Sequence, residues 1–275
     1  MYAAVLLVLS LVCSIAYAII VAPPAAELWK CAVVFVAAIP ALSALLALTL
    51  IIMGFFYPAR PISDKQRPFA HFIAVAGSDL ICFWTRVRPH LRGEEKLPED
   101  TRFLMVSNHR TALDPFSAIA AMRRHNIAFV SKPSNMALPS LGRLAYGVGF
   151  LPIDRENDRE ALKTILLAAD YMKKGICSMY IYPEGTRSRS GELLEFHAGS
   201  FKAAQRAAVP LVIAAVSGTD RIKKNFPWRR SDVYIDILGT VPAEEVRAEK
   251  TAELALRARE MIAAALAEQK GESEK

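Results

Sequence analysis

His109 and Asp114 form a pair of side chains that could carry out acid–base chemistry. They lie in the stretch SNHRTALDPF at 107–116, directly after an apolar run. In a continuous helix, five positions would rotate two side chains about 140° apart, whereas a strand–loop–helix connection can bring them together. An aspartate bonded to one ring nitrogen would leave the other nitrogen free to accept a proton from an alcohol. The spacing alone also fits a surface histidine beside a plain helix cap, because Asp114 followed by Pro115 predicts a helix start at which the aspartate caps free amides.

The segments around this pair alternate between strand-like and helix-like patterns. The predicted strands are 103–106, 127–130, 176–182, 210–216 and 233–238, and the predicted helices are 115–124, 158–174 and 243–269. This alternation predicts an α/β fold with a mixed, mostly buried β-sheet flanked by helices. His109 follows a predicted strand, and the carboxyl ends of strands are where α/β proteins commonly place reactive groups.

Three further stretches accompany the histidine–aspartate pair. They are the FVSK to LPIDR region at 129–155, the stretch YIYPEGTRS at 180–188 and the stretch VPLV at 209–212. Together and in this order, the four stretches resemble the four signatures of the glycerolipid acyltransferase family, and most closely those of 1-acyl-sn-glycerol-3-phosphate acyltransferases. The resemblance covers residues 101–220. Tyr182 is a mild departure, since the family usually has phenylalanine before the Pro-Glu-Gly-Thr-Arg motif.

The resemblance implies transfer of a fatty-acyl group from a thioester of coenzyme A or acyl carrier protein to the sn-2 hydroxyl of 1-acylglycerol-3-phosphate, giving phosphatidic acid. His109 is then the general base and Asp114 its orienting partner. Beyond the acyl donor no cofactor is implied, and no metal. Three alternatives stay open: an acyltransferase for another lysophospholipid or lyso-aminolipid, a lipid hydrolase, and a non-catalytic lipid-binding protein.

A phosphate on the acceptor would need cationic partners, which the second and third signatures supply. Arg187 is the strongest candidate because its planar fork can bind phosphate oxygens through two hydrogen bonds. Gly185 would let the backbone come close to the phosphate, and Thr186 adds a hydroxyl donor. Lys132 would act as a point charge just past a predicted strand.

Two other residues of these signatures have competing interpretations. Arg155 could bind the acceptor phosphate or form a salt bridge with a nearby acid, namely Asp154, Glu156 or Asp158. Glu184 could accept a hydrogen bond from the glycerol hydroxyl or pair with an arginine. Both are predicted acceptor-site residues.

The N-terminal part of the chain, 1–59, is apolar, and its only charged residues are Glu27 and Lys30. Two uncharged stretches, 2–22 and 31–57, are each long enough to cross the ~30 Å hydrocarbon layer of a bilayer. They predict a helical hairpin that anchors the protein in a membrane, either by spanning it or by entering one leaflet. No basic residue precedes the first apolar run, which speaks against a cleavable signal peptide.

The remainder carries the whole formal net charge of +7. Basic residues follow the second apolar stretch at Arg60, Lys65, Arg67, Arg86, Arg88 and Arg92. The positive-inside rule therefore predicts the cell (inner) membrane, with the body facing the cytoplasm. We expect a membrane-proximal segment at 60–92, amphipathic from 68 to 88, and the acyltransferase domain at 93–275.

Other functional classes find little support in the sequence. Four cysteines without a CxxC motif predict neither a disulfide scaffold nor a zinc cluster. The basic pairs at 123–124, 223–224 and 229–230, the last two beside Trp228, favour contacts to anionic lipid headgroups over nucleic acid, with a solvated basic face as the alternative. The pattern predicts neither an oligomeric state nor an acyl-chain length.

Overall fold

A computed structural model of the 275-residue chain describes residues 2–64, 68–188 and 192–273. Lys65 and Arg67 of the predicted positive-inside cluster lie outside these described residues. The helices are α1 Tyr2–Val21, α2 Trp29–Gly54, α3 Pro68–Trp84, α4 Asp114–Ala121, α5 Pro133–Met136, α6 Leu141–Val148, α7 Asp158–Lys173, α8 Lys202–Ala207, α9 Ile222–Asn225, α10 Ala243–Ala248 and α11 Thr251–Ser273. The strands are β1 Val87–Arg92, β2 Leu104–Val106, β3 Ile127–Ser131, β4 Leu151–Pro152, β5 Ser178–Ile181, β6 Leu211–Ser217 and β7 Ser231–Val241.

Within the described part of the chain, the seven strands form one sheet in the order β1-β7-β6-β2-β5-β3-β4. Strands β2 to β6 are parallel to one another, while β7 is antiparallel to β6 and parallel to the edge strand β1. The sheet is therefore mixed, as the sequence predicts. The carboxyl ends of five parallel strands share one edge, so the loops that follow them are neighbours.

Helices cover both faces of the sheet, which confirms the prediction of a mostly buried sheet. Alternate strand residues point to opposite faces, so Leu104 belongs to one apolar cluster and Met105 to the other. Helices α7, α8 and α11 supply buried residues to the first cluster, and α4 supplies them to the second. The strand runs are apolar at consecutive positions because both faces are buried.

The two apolar helices α1 and α2 form an antiparallel hairpin. The Tyr2 hydroxyl lies 3.0 Å from the Ser43 hydroxyl, and the Ser14 hydroxyl donates to the Cys31 carbonyl over 2.8 Å. Both helices are long and apolar enough to cross a membrane, and most of their large apolar side chains are exposed. An apolar helix that is not covered by protein needs a lipid environment, and the protein is therefore membrane-associated.

Helix α3 lies between the hairpin and the body. Its buried Ala70 and Ile73 form a cluster with Leu50 of α2 and Leu144 of α6. Its other side is joined to the segment after α4, where Arg123 donates to both carboxylate oxygens of Asp79 over 3.1 and 3.0 Å. Arg123 is therefore a structural residue, and its predicted contact to a lipid headgroup is not supported.

Strand β1 was not predicted, because its sequence VRPHLR is rich in charge and contains a proline. It is an edge strand, where proline and charged side chains are tolerated. Polar contacts replace apolar ones along it: His90 bonds to Asp232 over 2.8 Å, and the Arg92 guanidinium lies 3.8 Å from the ring centre of Tyr234. The sheet therefore begins before the predicted domain boundary at 93.

The prediction of a single closing helix at 243–269 is wrong, because this segment forms two helices, α10 and α11. Glu249 has extended backbone between α10 and α11. The side-chain amide of Gln205 donates to the carbonyls of Val246 and Glu249 over 3.0 and 2.6 Å and so satisfies the end of α10. The sequence at this break contains neither glycine nor proline, so no local pattern predicts it.

Candidate active site

The loop between β2 and α4 carries His109, and neighbouring strands hold it on both sides. The buried Asn108 amide donates to the Val216 carbonyl and its oxygen accepts from the Val216 N–H, each over 2.8 Å. Next to it, the Ser107 hydroxyl lies 2.7 Å from the Tyr180 hydroxyl. The backbone before His109 is therefore fixed to both β6 and β5.

The imidazole of His109 is directly bonded to the carboxylate of Asp114. Their Nδ1 and Oδ2 atoms are 2.8 Å apart, and the side chains are 15% and 0% exposed, respectively. With Nδ1 as the donor, Nε2 carries the lone pair, and it forms no hydrogen bond with a described residue. The expected meeting of the two side chains across a strand–loop–helix connection is thus found.

Asp114 does not cap the helix as predicted. It is the first residue of α4, and its carboxylate points back to the loop that precedes it. Oδ2 also accepts the backbone N–H groups of Arg110 and Thr111 over 2.7 and 2.9 Å, and Oδ1 accepts the Thr111 hydroxyl over 2.8 Å. These donors compensate a buried negative charge and hold it against the imidazole.

Tyr182 stacks on the imidazole ring of His109. The two ring centres are 4.1 Å apart and the planes are inclined by 12°. The tyrosine ring is buried and has no hydrogen-bond partner for its hydroxyl among the described residues. Burial holds the pKa of this hydroxyl well above its usual range, so it stays protonated. Tyrosine keeps the flat aromatic face that phenylalanine would provide. Sequence reasoning missed the stacking because it joins residues that follow two different strands, β2 and β5.

Glu184 supports the backbone of the histidine loop. Its Oε1 accepts the His109 N–H over 2.6 Å and its Oε2 accepts the Leu194 N–H over 3.0 Å. The side chain is buried and forms no direct ion pair with an arginine among the described residues, although the charge of Arg110 favours its ionised form. Burial raises the pKa of this carboxyl, while the two backbone N–H groups oppose the rise.

The turn that follows Glu184 wraps around the same loop. Gly185 has a φ of +68°, and a Cβ there would lie 3.0 Å from the ring of His197 and 3.8 Å from Cδ of Arg155. Beyond it, the Ser188 N–H donates to the His109 carbonyl over 3.0 Å. Residues 184 and 188 thus both bond to the backbone of His109.

Thr186 and Arg187 lie between those two attachment points, and both are exposed. Arg187 forms no ion pair with another residue in the described part of the chain, so its charge is available to a bound anion. The position of His197 beside this turn has no signal in the sequence, because His197 lies outside the signature stretches.

The two cations of the second signature lie at the same edge of the sheet. Lys132 directly follows β3 and is exposed, whereas Arg155 follows β4 and reaches the Gly185 turn. The alternative salt bridge of Arg155 with Asp154, Glu156 or Asp158 is not formed. Among the residues described, no group of three or more His, Cys, Asp and Glu side chains is arranged to hold a metal ion.

Comparisons with known proteins identify relatives of this chain. The family model described as Acyltransferase matches residues 88–217, a range that includes every predicted site residue. The 1-acyl-sn-glycerol-3-phosphate acyltransferase of Salmonella typhimurium is 32% identical over 165 residues, which are 60% of this chain and 67% of that protein. The chloroplastic 1-acyl-sn-glycerol-3-phosphate acyltransferase BAT2 of Brassica napus is 31% identical over 182 residues, 66% of this chain and 51% of the plant protein. The match thus spans about half the length of the plant relatives.

The fold also has a solved counterpart. The crystal structure of the 1-acyl-sn-glycerophosphate (LPA) acyltransferase PlsC from Thermotoga maritima superposes with a TM-score of 0.61 at 20% identity, over 82% of this chain and 88% of that one. At this identity the likeness concerns the fold alone. Given the family match and the Salmonella relative, the chain belongs to the acyltransferase family that includes the 1-acyl-sn-glycerol-3-phosphate acyltransferases.

Proposed function

We propose that the protein transfers a fatty-acyl group from an acyl thioester to the sn-2 hydroxyl of 1-acylglycerol-3-phosphate and so produces phosphatidic acid. The observation that carries the proposal is the 2.8 Å bond between His109 and Asp114, with Nε2 unbonded at an edge of the sheet that also presents cations. The names of the relatives support this acceptor.

In the proposed reaction Nε2 of His109 takes the proton of the acceptor hydroxyl. The resulting oxygen attacks the thioester carbonyl, an ester bond forms, the carbon–sulfur bond breaks, and the thiol leaves with the proton that the imidazolium returns. Asp114 stabilises the imidazolium through Nδ1. A positioned base contributes about 10²–10⁴-fold, so the binding of both substrates side by side supplies much of the remaining acceleration.

The acceptor phosphate binds to the cations of the second and third signatures. Arg187 supplies two parallel donors and Thr186 a hydroxyl, while Lys132 and Arg155 add charge from the ends of β3 and β4. Gly185 lets the phosphate approach the backbone of the turn. Glu184 acts on this site indirectly, through the position of the His109 backbone.

The hairpin formed by α1 and α2 anchors the enzyme so that the lysolipid tail stays in or near the bilayer. The positive charges after the hairpin favour the cytoplasmic face of the cell (inner) membrane. Both thioesters of that compartment, on coenzyme A and on acyl carrier protein, are candidate donors.

The test is turnover of labelled 1-acylglycerol-3-phosphate by the purified full chain in detergent, with each thioester in turn. We expect labelled phosphatidic acid with at least one donor, its loss in His109→Ala, and its retention in the matched control His125→Ala. His125 also pairs with a carboxylate, that of Glu94, but lies beyond the end of α4. Release of free fatty acid alone would indicate a hydrolase, and faster acylation of another lysolipid would replace the acceptor. Full turnover by His109→Ala would refute the base.

A further inference from the structure

The connection between β6 and β7 presents exposed aromatic side chains among unpaired cations. Trp228 is 86% exposed and Phe226 is 51% exposed. The exposed basic residues of this connection are Arg221, Lys223, Lys224, Arg229 and Arg230, and none of them forms an ion pair with a described residue. Large aromatic side chains are seldom left in water without a binding partner, and here their neighbours are positively charged.

The connection is a folded element that holds these side chains outward. Ile222 of α9 is buried in the body and anchors the connection from within. The Asn225 amide donates to the Arg230 carbonyl over 3.1 Å and lies 3.0 Å from the Ser231 hydroxyl, while the Arg229 N–H donates to the Asn225 carbonyl over 2.7 Å. The exposure of Trp228 is therefore a property of an ordered turn.

The end of this connection is linked to the segment that follows α3. The Ser231 N–H donates to the Arg86 carbonyl over 3.0 Å, just after the end of α3. There, the ring of Phe83 meets the ring of Tyr2, the first residue of α1, at 5.4 Å and the ring of Trp84 at 5.6 Å. The connection is thus linked, through the end of α3, to the start of the hairpin.

The other side of the connection borders the His109 loop. The carboxylate of Asp220 lies 3.8 Å from the guanidinium of Arg110, the residue after His109. Asn108 is bonded to Val216 near the end of β6, close to where the connection begins. The connection therefore lies between the hairpin base and the reactive loop.

We infer that residues 221–230 form a second membrane-binding surface, whose partner is the headgroup region of an anionic bilayer. Tryptophan is suited to that region, because its ring is apolar and its N–H needs a polar partner. Lysine and arginine side chains next to it bind lipid phosphates, and their attraction to an anionic surface weakens with salt. The inference does not depend on the reaction that the protein catalyses.

A bilayer fits this surface better than a protein or nucleic acid does, because of the hairpin. A chain whose first two helices enter a membrane already has a bilayer near Tyr2, and the connection is linked to the end of α3 that contacts this residue. Contact at this second surface would turn the edge of the sheet that carries His109 toward the lipid. The hairpin provides one attachment to the bilayer, and residues 221–230 would provide a second.

The test uses the tryptophans of the full chain, which are Trp29, Trp84 and Trp228. A protein with the substitutions Trp29→Phe and Trp84→Phe retains Trp228 as its single reporter and is placed in nanodiscs of phosphatidylcholine, with or without phosphatidylglycerol. In the anionic nanodiscs we expect blue-shifted Trp228 emission and quenching by a headgroup-level spin-labelled lipid, with both effects reduced by salt. A protein that retains only Trp29 is the control, and its emission should be the same in both nanodiscs.

A charge variant shows whether lipid contact depends on the basic residues of this surface or on the net positive charge of the whole protein. Lys223→Gln, Lys224→Gln, Arg229→Gln and Arg230→Gln together should abolish the lipid quenching of Trp228. The matched control is Lys202→Gln with Arg206→Gln, which removes exposed charges from α8 on the opposite face of the sheet and should leave the quenching unchanged. Trp228 emission that is equally water-like in detergent and in both nanodiscs would overturn the inference. Equal quenching in neutral nanodiscs, or a shift produced by duplex DNA and not by lipid, would also overturn it.

Discussion

His109 is held from three directions. Asp114 bonds to its ring nitrogen, Tyr182 stacks against its ring face, and Glu184 accepts its backbone N–H. Each contact removes one freedom of the imidazole, so the base is positioned before a substrate binds. Substitutions of these neighbours should therefore change the rate of turnover more than the affinity for lipid.

Asp114→Asn tests the orienting carboxylate. The asparagine keeps the size of the side chain but removes the charge that stabilises the imidazolium, so we expect kcat to fall by about 10²–10⁴-fold with a nearly unchanged acceptor KM. Steady-state kinetics measure both constants. Asp170→Asn on α7, far from the site, is the control. An unchanged kcat in Asp114→Asn would exclude the orienting role.

Arg187→Ala tests phosphate binding. Loss of a charge-assisted contact worth about 1.5–3 kcal/mol should raise the acceptor KM by about 10- to 160-fold and leave the thioester KM unchanged. The acceptor KM of Arg187→Lys should lie between those of wild type and Arg187→Ala, since lysine keeps the charge but lacks the planar fork. Arg206→Ala on α8 is the control. A raised thioester KM alone would assign Arg187 to the donor.

Glu184→Gln tests the buried carboxyl through pH. Burial raises the pKa of Glu184 in the folded protein, so the folded state favours the protonated form. The resulting contribution to the free energy of unfolding is present below the unfolded pKa of about 4.3 and is lost as pH rises through the folded value. The Tm of wild type and of Glu184→Gln is measured in detergent from below the unfolded pKa upward. Wild type should therefore lose stability relative to the variant as pH rises. A difference that grows in favour of wild type with pH would show that the folded pKa is lowered instead.

The residues that meet through a short loop could be predicted from the sequence, and those that meet across strands could not. The spacing of His109 and Asp114 indicated that the two side chains can meet across a strand–loop–helix connection, although the spacing alone also fitted a surface histidine beside a helix cap. The direction of the Asp114 carboxylate was mispredicted, because the N–H groups of residues 110 and 111 compete with those of the helix. The contacts of Asn108 and Glu184 involve partners 108 and 75 positions away, which leave no local pattern.

The helices and strands also divide into those that a local sequence pattern predicts and those that depend on distant contacts. The central strands are continuous apolar runs, because both faces of the sheet are covered, and such runs are visible in a sequence. The edge strand β1 is stabilised by ion pairs and ring contacts with β7, and the break between α10 and α11 by Gln205. Both depend on tertiary contacts that periodicity does not record.

The junction of α2 with α6 is the tightest contact between the hairpin and the body. A Cβ at Gly54 would lie 2.8 Å from the Ser140 carbonyl oxygen, whereas one at Gly77 of α3 would meet only Leu50, at 3.7 Å. Gly54→Ala should therefore lower Tm in detergent through overpacking worth about 1–3 kcal/mol. Gly77→Ala, the control, should keep or raise Tm because alanine favours the helix. Equal effects of the two substitutions would contradict this account of the junction.

At the scale of the whole molecule, the hairpin both anchors the body and covers it. Leu50 and Tyr57 pack on Ala70, Ile73 and Val148, so removal of residues 1–57 would uncover an apolar face on α3 and α6. We expect the truncated chain to aggregate in detergent-free buffer, and the full chain to stay in the membrane fraction during high-salt washes. Size-exclusion chromatography and membrane extraction measure the two outcomes. A monodisperse truncated protein, or release of the full chain by salt, would contradict them.

The pairing of β1 with β7 determines the order in which parts of the sheet can form during synthesis of the chain. His90 and its partner Asp232 are 142 positions apart, so the ribosome has made the hairpin and β1 long before it makes β7. Strand β1 remains unpaired beside the bilayer until nearly the whole chain has been synthesised, because its neighbour in the sheet is β7. A nascent chain that stalls before residue 231 would remain tethered to the membrane with this open edge, where chaperones or proteases could recognise it.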